Sequence, residues 1–206
     1  RDHIDRLGFE SKSIHYHKII TYEEGNKLEN RINEFKEVDF LALVINFVDI
    51  LGHSRSESNI LQEMVPDESA YRKAVCSWLE NAWLMNVLEE ISRWGHTVFI
   101  TSDHGSTMVG KPVQLKAYKD VSSGVRYKSG KNIKVKDKYA LRIANPRDFK
   151  LPSFELNENY LIAFDNNYFV FPNNYNEFVK RYNNTFQHGG ISMSELIVPV
   201  ASLEPK

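Results

Sequence analysis

Asp49 and His53 stand four residues apart in VDILGH, Asp103 and His104 are adjacent in TSDHG, and His188 opens an HGG stretch. Carboxylate oxygens and imidazole nitrogens are ligand types that zinc accepts. Taken singly, each motif has a plainer reading. Asp49 can cap a following helix with His53 on the surface, DHG can form a cap or turn, and His188 can be a turn residue before two glycines. Together they supply five oxygen and nitrogen donors. Crowded into one crevice, such groups would repel or stay unsatisfied unless a cation lay between them. Their distribution suits a two-metal site, with ions about 3.5–4 Å apart clamping a phosphoryl group. The other histidines fit less well: His96 lies at the opposite end of its strand, His15 and His17 share a strand face, and His3 is uninformative.

The elements that must position these donors follow from the apolar pattern. Phe40–Val48 and His96–Thr101 are continuous Val/Ile/Leu/Phe runs, as expected of strands covered on both faces in a parallel sheet. Ligands in open α/β sheets sit beyond the carboxyl ends of such strands, where Asp49 and Asp103 fall. Between the runs, apolar spacing from Asp67 to Trp94 predicts one helix of about 27 residues, or about 40 Å. Pro66 starts it and Gly95 ends it. Strand, helix and strand would form a βαβ crossover with the two strands as parallel neighbours. Elsewhere the pattern predicts a strand at Ser13–Ile20, a helix over Glu24–Lys36, and strands at Tyr139–Ala144, Tyr160–Phe164 and Tyr168–Phe171. An Asn166-Asn167 turn joins the last two. A helix at Tyr175–Tyr182 and a strand at Glu195–Ser202 complete the series, with Pro199 marking an edge or bulge. Residues from about 110 to 138 are rich in lysine, including Lys111, Lys119 and Lys131, and read as loops or a hairpin over the sheet edge.

The bulk properties exclude several classes. A chain of 206 residues suffices for one α/β domain with a real core. A net charge of −1 gives no electrostatic case for a general nucleic-acid or membrane binder. No apolar stretch approaches the roughly 20 residues of a membrane span, and the start carries no signal peptide. The single cysteine, Cys76, rules out an internal disulfide, fits a reducing, cytoplasmic compartment, and on its helical pattern reads as a buried small hydrophobe. Because Arg1 is not an initiator methionine, the chain reads as the C-terminal portion of something longer.

The order D-x-x-x-H, then DHG, then HGG resembles the alkaline phosphatase superfamily, and more closely its PglZ-type members. The phrases NFVDILGHSRSES, DHGSTMVGKP, RYKSGKN, FVFPNNYNEF and NTFQHGGIS are similar to the output domain of PorX-like response regulators. The resemblance implies an alkaline-phosphatase-like, mostly parallel sheet flanked by helices, with residues 1–206 forming the C-terminal portion of one domain. It implies two zinc ions, one held by Asp49, His53 and His188 and the other by Asp103 and His104. An earlier aspartate and a nucleophilic threonine or serine would complete the second shell. Those groups, and a receiver domain, would precede this chain, so that this portion alone would not turn over substrate. Arg126, Lys128 and Lys131 of VRYKSGKN would then present cations to substrate phosphate, or else form a solvated loop.

The expected activity is hydrolysis of phosphate esters, cyclic or linear oligonucleotides by resemblance, in a two-component regulator linked to type IX secretion. A competing class is a metal-stabilised signalling module that forms a homodimer or holds a partner; the helix carrying Trp78, Trp83 and Trp94 reads as an additional buried contact or as a helix packed on both sides. A phosphomutase or sulfatase relative could use the same shell.

Overall fold

Thr21 and Glu24 close a capping box: the Thr21 hydroxyl accepts the Glu24 N–H at 3.2 Å, and the Glu24 carboxylate accepts the Thr21 N–H at 3.1 Å. Helix α1 (Tyr22–Arg31) therefore begins with amino-terminal donors satisfied, and a 3-10 turn at Ile32–Phe35 extends it. The computed structural model describes residues 6, 8, 13–55, 58–116, 122–154 and 156–205; His3 and Lys119 lie outside them. The chain divides into two compact units. The first comprises Arg1–Leu51, Ser69–Ile100 and Ala201–Lys206, and the second Gly52–Glu68 and Thr101–Val200. The class is α/β, as expected. Among the described residues no helix is long and apolar enough to cross a membrane.

In the first unit, strand β1 (Ile14–Ile19) pairs in parallel with β2 (Phe40–Ile45), Ile14 opposite Phe40 and Ile19 opposite Ile45. Its core joins Ile19, Leu28, Ile32, Phe35, Trp83 and Val87. Gly25 makes this packing fit, because a Cβ there would lie 1.8 Å from the Trp83 indole nitrogen.

Four expectations are corrected in this unit. β2 stops at Ile45, and Phe47–Arg55 forms a helix, α2, that carries the chain into the second unit, where a short helix, α3 (Asn59–Met64), follows. Asp49 therefore lies in a helix rather than at a strand end, and Gly52 is a buried residue of the same helix. The long helix is two: α4 (Glu68–Asn81) and α5 (Trp83–Ser92), separated by Ala82 in extended conformation. The Asn81 amide donates back to the Ser77 carbonyl at 2.7 Å, and Trp83 drops into the core edge-on to Trp78. Apolar spacing runs through the break because both sides feed the same core. Finally, β3 (Val98–Thr101) pairs with β11 (Val200–Leu203), and β2 with β1. Phe40, Val44, Phe99 and Ile100 are exposed, so these strands are not covered on both faces. Cys76 is also exposed, not buried.

The second unit is built from short strands. β4 (Thr107–Val109) runs antiparallel to β10 (Thr185–Gln187), and β5 (Lys111–Gln114) parallel to β9 (Asn167–Val170). β6 (Tyr127–Lys131), β8 (Glu158–Ala163) and β7 (Ala140–Ile143) make an antiparallel sheet with β8 in the middle. Within the lysine-rich stretch, β5 and β6 enter different sheets rather than one hairpin. β9 is buried at every position and separates two apolar clusters, Phe169 joining Val113, Leu115, Ile133 and Leu161, while Tyr168 and Val170 join Val109 and Val125. Helix α6 (Tyr175–Tyr182) falls where its pattern predicts. The expected strand at Glu195–Ser202 begins instead as a short helix, α7 (Met193–Leu196), because Ser192 and Glu195 form a second capping box.

Candidate metal centre

Three imidazoles of the second unit come together. His53 sits in the last turn of α2. Arg55, two residues on, anchors that helix end: its buried guanidinium donates to the Pro66 carbonyl at 2.8 Å and to the carbonyls of Val65 and Asn184. Burial lowers the Arg55 pKa and the nearby Asp67 charge opposes this. Asn184 precedes β10, and β10 delivers His188 one residue after Gln187. The end of α2 and the strand bearing His188 are thereby tied through one side chain. His104 lies between β3 and β4, where the Gly105 N–H donates to the Glu195 carbonyl at 2.9 Å.

The Nε2 atoms of His53 and His188 are 3.3 Å apart, with their rings 71° from coplanar. His104 stacks on His188, centroids 3.9 Å apart and planes within 14°. His104 and His188 bring ring nitrogens within 4.8 Å of each other. The Nδ1 of His104 is 3.0 Å from the Gly105 carbonyl oxygen. A carbonyl only accepts, so Nδ1 is the donor in this contact and Nε2 is the nitrogen that faces a metal, the arrangement usual for a metal-ligating histidine. The spacing can be tested against an ion. Two imidazole nitrogens on a tetrahedral zinc at about 2.0–2.1 Å lie about 3.3–3.4 Å apart. The His53–His188 separation matches that edge.

The expected carboxylates are placed less uniformly. Asp49 stands one helical turn before His53 on α2, so the two share a helix face. Asp103 is exposed; its carboxylate accepts the His104 N–H at 3.1 Å and lies 3.9 Å from His104 Nε2.

The expected phosphate-binding cations need correction. Arg126 is fully buried, and its guanidinium donates to both oxygens of Glu195, at 2.9 and 2.5 Å, and to the Asn167 carbonyl. Lys128 is also buried, donating to the Ser122 carbonyl at 2.6 Å and lying over the Phe171 ring. Burial pulls its pKa down to about 8. These two side chains are held inside the fold, because strand β6 and its lead-in turn them toward the core. Lys131 is exposed at the end of β6.

Glu195 has a role that its motif context concealed. Besides Arg126, its carboxylate accepts the N–H of Gly190 at 2.8 Å and the N–H and hydroxyl of Ser192 at 3.0 and 2.5 Å. Burial raises its pKa, but the hydrogen bonds from Arg126, Ser192 and Gly190 prevail and hold it below the ordinary carboxylate range. Its backbone carbonyl takes Gly105. One residue therefore fastens the loop after His104 and the loop after His188. Both glycines are required by close approach: a Cβ on Gly190 would meet Arg126 at 2.3 Å, and one on Gly105 would meet the Ser194 carbonyl at 2.0 Å. The Ser192-x-x-Glu195 spacing was the available signal.

A family model described as the BREX system PglZ alkaline phosphatase-like domain matches residues 3–203. The chain belongs to the PglZ family. Among solved structures, this PglZ domain is similar to phosphonoacetate hydrolase from Sinorhizobium meliloti in complex with phosphonoformate. The TM-score is 0.50 with 11% identity, over 88% of this chain and 50% of that one. The PglZ chain thus spans half the length of that hydrolase, and the likeness is one of fold. No curated protein matches the sequence.

Proposed function

We propose that this PglZ domain forms the metal-binding part of a zinc-dependent phosphoric ester hydrolase. His53 and His188 would share one ion with Asp49, and His104 with Asp103 would hold a second. The observation that carries the proposal is the 3.3 Å separation of the His53 and His188 Nε2 atoms, the edge of a tetrahedral zinc site. Asp49 is assigned by its position one turn ahead of His53. When bound, the ions supply Lewis-acid polarisation of a phosphoryl oxygen and a lowered pKa for a coordinated water. The chain's own residues prepare for this. The Gly105 carbonyl orients the His104 ring, Arg55 ties the His53 helix end to the strand leading to His188, and Glu195 fixes both histidine loops. The sequence likeness to PorX-like regulators extends the proposal to cyclic or linear oligonucleotide substrates. It also adds a nucleophilic threonine or serine and a receiver domain elsewhere in the same cytoplasmic protein, with type IX secretion as the setting.

The test is hydrolysis of bis(p-nitrophenyl) phosphate and of a linear dinucleotide by the intact protein, with zinc, with chelator, and as His188→Ala. Zinc-dependent turnover that is abolished in the variant is expected. Full activity in chelator, or in a His188→Ala protein that still holds zinc, would overturn the assignment.

A further inference from the structure

Beyond Gln114, the strand carrying Leu115 ends in a bridge in which Lys116 and Lys134 exchange both backbone hydrogen bonds, each 3.0 Å long. Residues paired in this way stand directly opposite with side chains on one face, and like charges so placed are destabilising. Both side chains are exposed, and among the described residues neither has an ion-pair partner. They line a cavity of about 550 Å³ together with Leu115, Asn132, Phe171 and Asn173. Among the described residues, no carboxylate lines it. The buried Lys128 places a third ammonium 4.9 Å from the centre of the Phe171 ring. The volume lies within the roughly 300–1,000 Å³ of small-molecule sites.

We propose that this cavity binds a small organic phosphate carrying a flat ring, its phosphate bridging Lys116 and Lys134 and its ring lying against Phe171. A dianion relieves the repulsion between the two paired ammonium groups, which a neutral ligand cannot do. The apolar Phe171 and Leu115 give a ring a surface to cover, and the carboxamides of Asn132 and Asn173 offer donors and acceptors to its polar edge. The site uses none of the three clustered histidines, so it stands independently of the proposed metal chemistry.

Calorimetric titration of the chain with AMP, phenyl phosphate and inorganic phosphate, all in chelator, tests it. The ringed phosphates are expected to bind at least about tenfold more tightly than inorganic phosphate. The exposed pair Lys116→Gln/Lys134→Gln should weaken all three by about tenfold or more, the size of a lost charge-assisted contact. Phe171→Leu should weaken only the ringed ligands, and His188→Ala should change nothing. No binding of any probe at about 10 mM, weaker than any useful affinity, overturns the proposal. So does binding that survives loss of both lysines, or that disappears in His188→Ala. Equal affinity for inorganic phosphate overturns the ring contact.

Discussion

Replacing Glu195 with glutamine changes one oxygen to an amide and almost nothing in volume, yet it strikes the residue that fastens both histidine loops. The carboxylate receives five donors: two from Arg126, the N–H of Gly190, and the N–H and hydroxyl of Ser192. A carboxamide has one oxygen, so part of that set would face an NH₂ group, and the Arg126 guanidinium would be left buried without a counter-charge. Breaking a buried pair from one side costs about 3–5 kcal/mol. For a chain of this size, about 2–4 °C of Tm accompanies each kcal/mol, giving a fall of roughly 6–20 °C. Thermal unfolding followed by circular dichroism measures it. The double variant Arg126→Met/Glu195→Leu separates a simple ion pair from a fastening device. Replacing an isolated pair by apolar groups is nearly neutral. Here it would also strand the N–H groups of Gly190 and Ser192, at about 1–3 kcal/mol each. The double variant should therefore remain several kcal/mol below the parent. Recovery to within about 1 kcal/mol, or a Glu195→Gln loss smaller than that, would refute the reasoning. The pH dependence carries the same sign. A carboxyl held below its ordinary value of 4.5 contributes stability above that value and loses it as pH falls through the folded pKa. Glu195→Gln should lack that part of the acid transition.

Two further outcomes follow from the packing. Gly25→Ala gains helix propensity of up to about 1 kcal/mol, but its Cβ would lie 1.8 Å from the indole of Trp83, a buried ring with nowhere to swing. Overpacking of this kind costs about 1–3 kcal/mol, so a net loss is expected, read as a lower urea midpoint; an unchanged or raised midpoint would contradict it. Lys128→Met removes a buried ammonium whose pKa is pulled down to about 8 by burial. The unfolded chain then binds the extra proton between about pH 8 and 10.5, so parent stability rises across that window. The variant's advantage at pH 7 should shrink by pH 10, and a constant difference in denaturant midpoint across that range would contradict the burial cost.

The imidazole cluster is legible in the sequence because each histidine adjoins a glycine, a local signal, and at Gly105 that glycine lets the His104 loop approach the Ser194 backbone. His104 and His188 lie 84 positions apart, yet Gly105 and Gly190 mark both loops. Helix α6 and strands β7, β8 and β9 are equally plain, since their periods run between turn residues. The break at Ala82 is not legible: it lacks glycine or proline, and the apolar spacing continues because both helices serve one core. The passage from β2 into α2 is hidden for a similar reason. Only Asn46 separates two apolar segments, and VDILGH reads as strand or helix equally well. Arg126 misleads most, because a cation in a lysine-rich stretch carries no local mark of burial. Its partner Glu195 lies 69 residues away, and only the fold brings the pair together.

Zinc titration of the metal-free chain by calorimetry, with ion content checked by mass spectrometry, addresses the imidazole cluster most directly. At least one tightly held ion per chain is expected, with His53→Ala and His188→Ala each removing it while leaving the circular dichroism spectrum intact. A parent chain that takes up no zinc, or variants that bind it unchanged, would show that the three rings meet for packing alone.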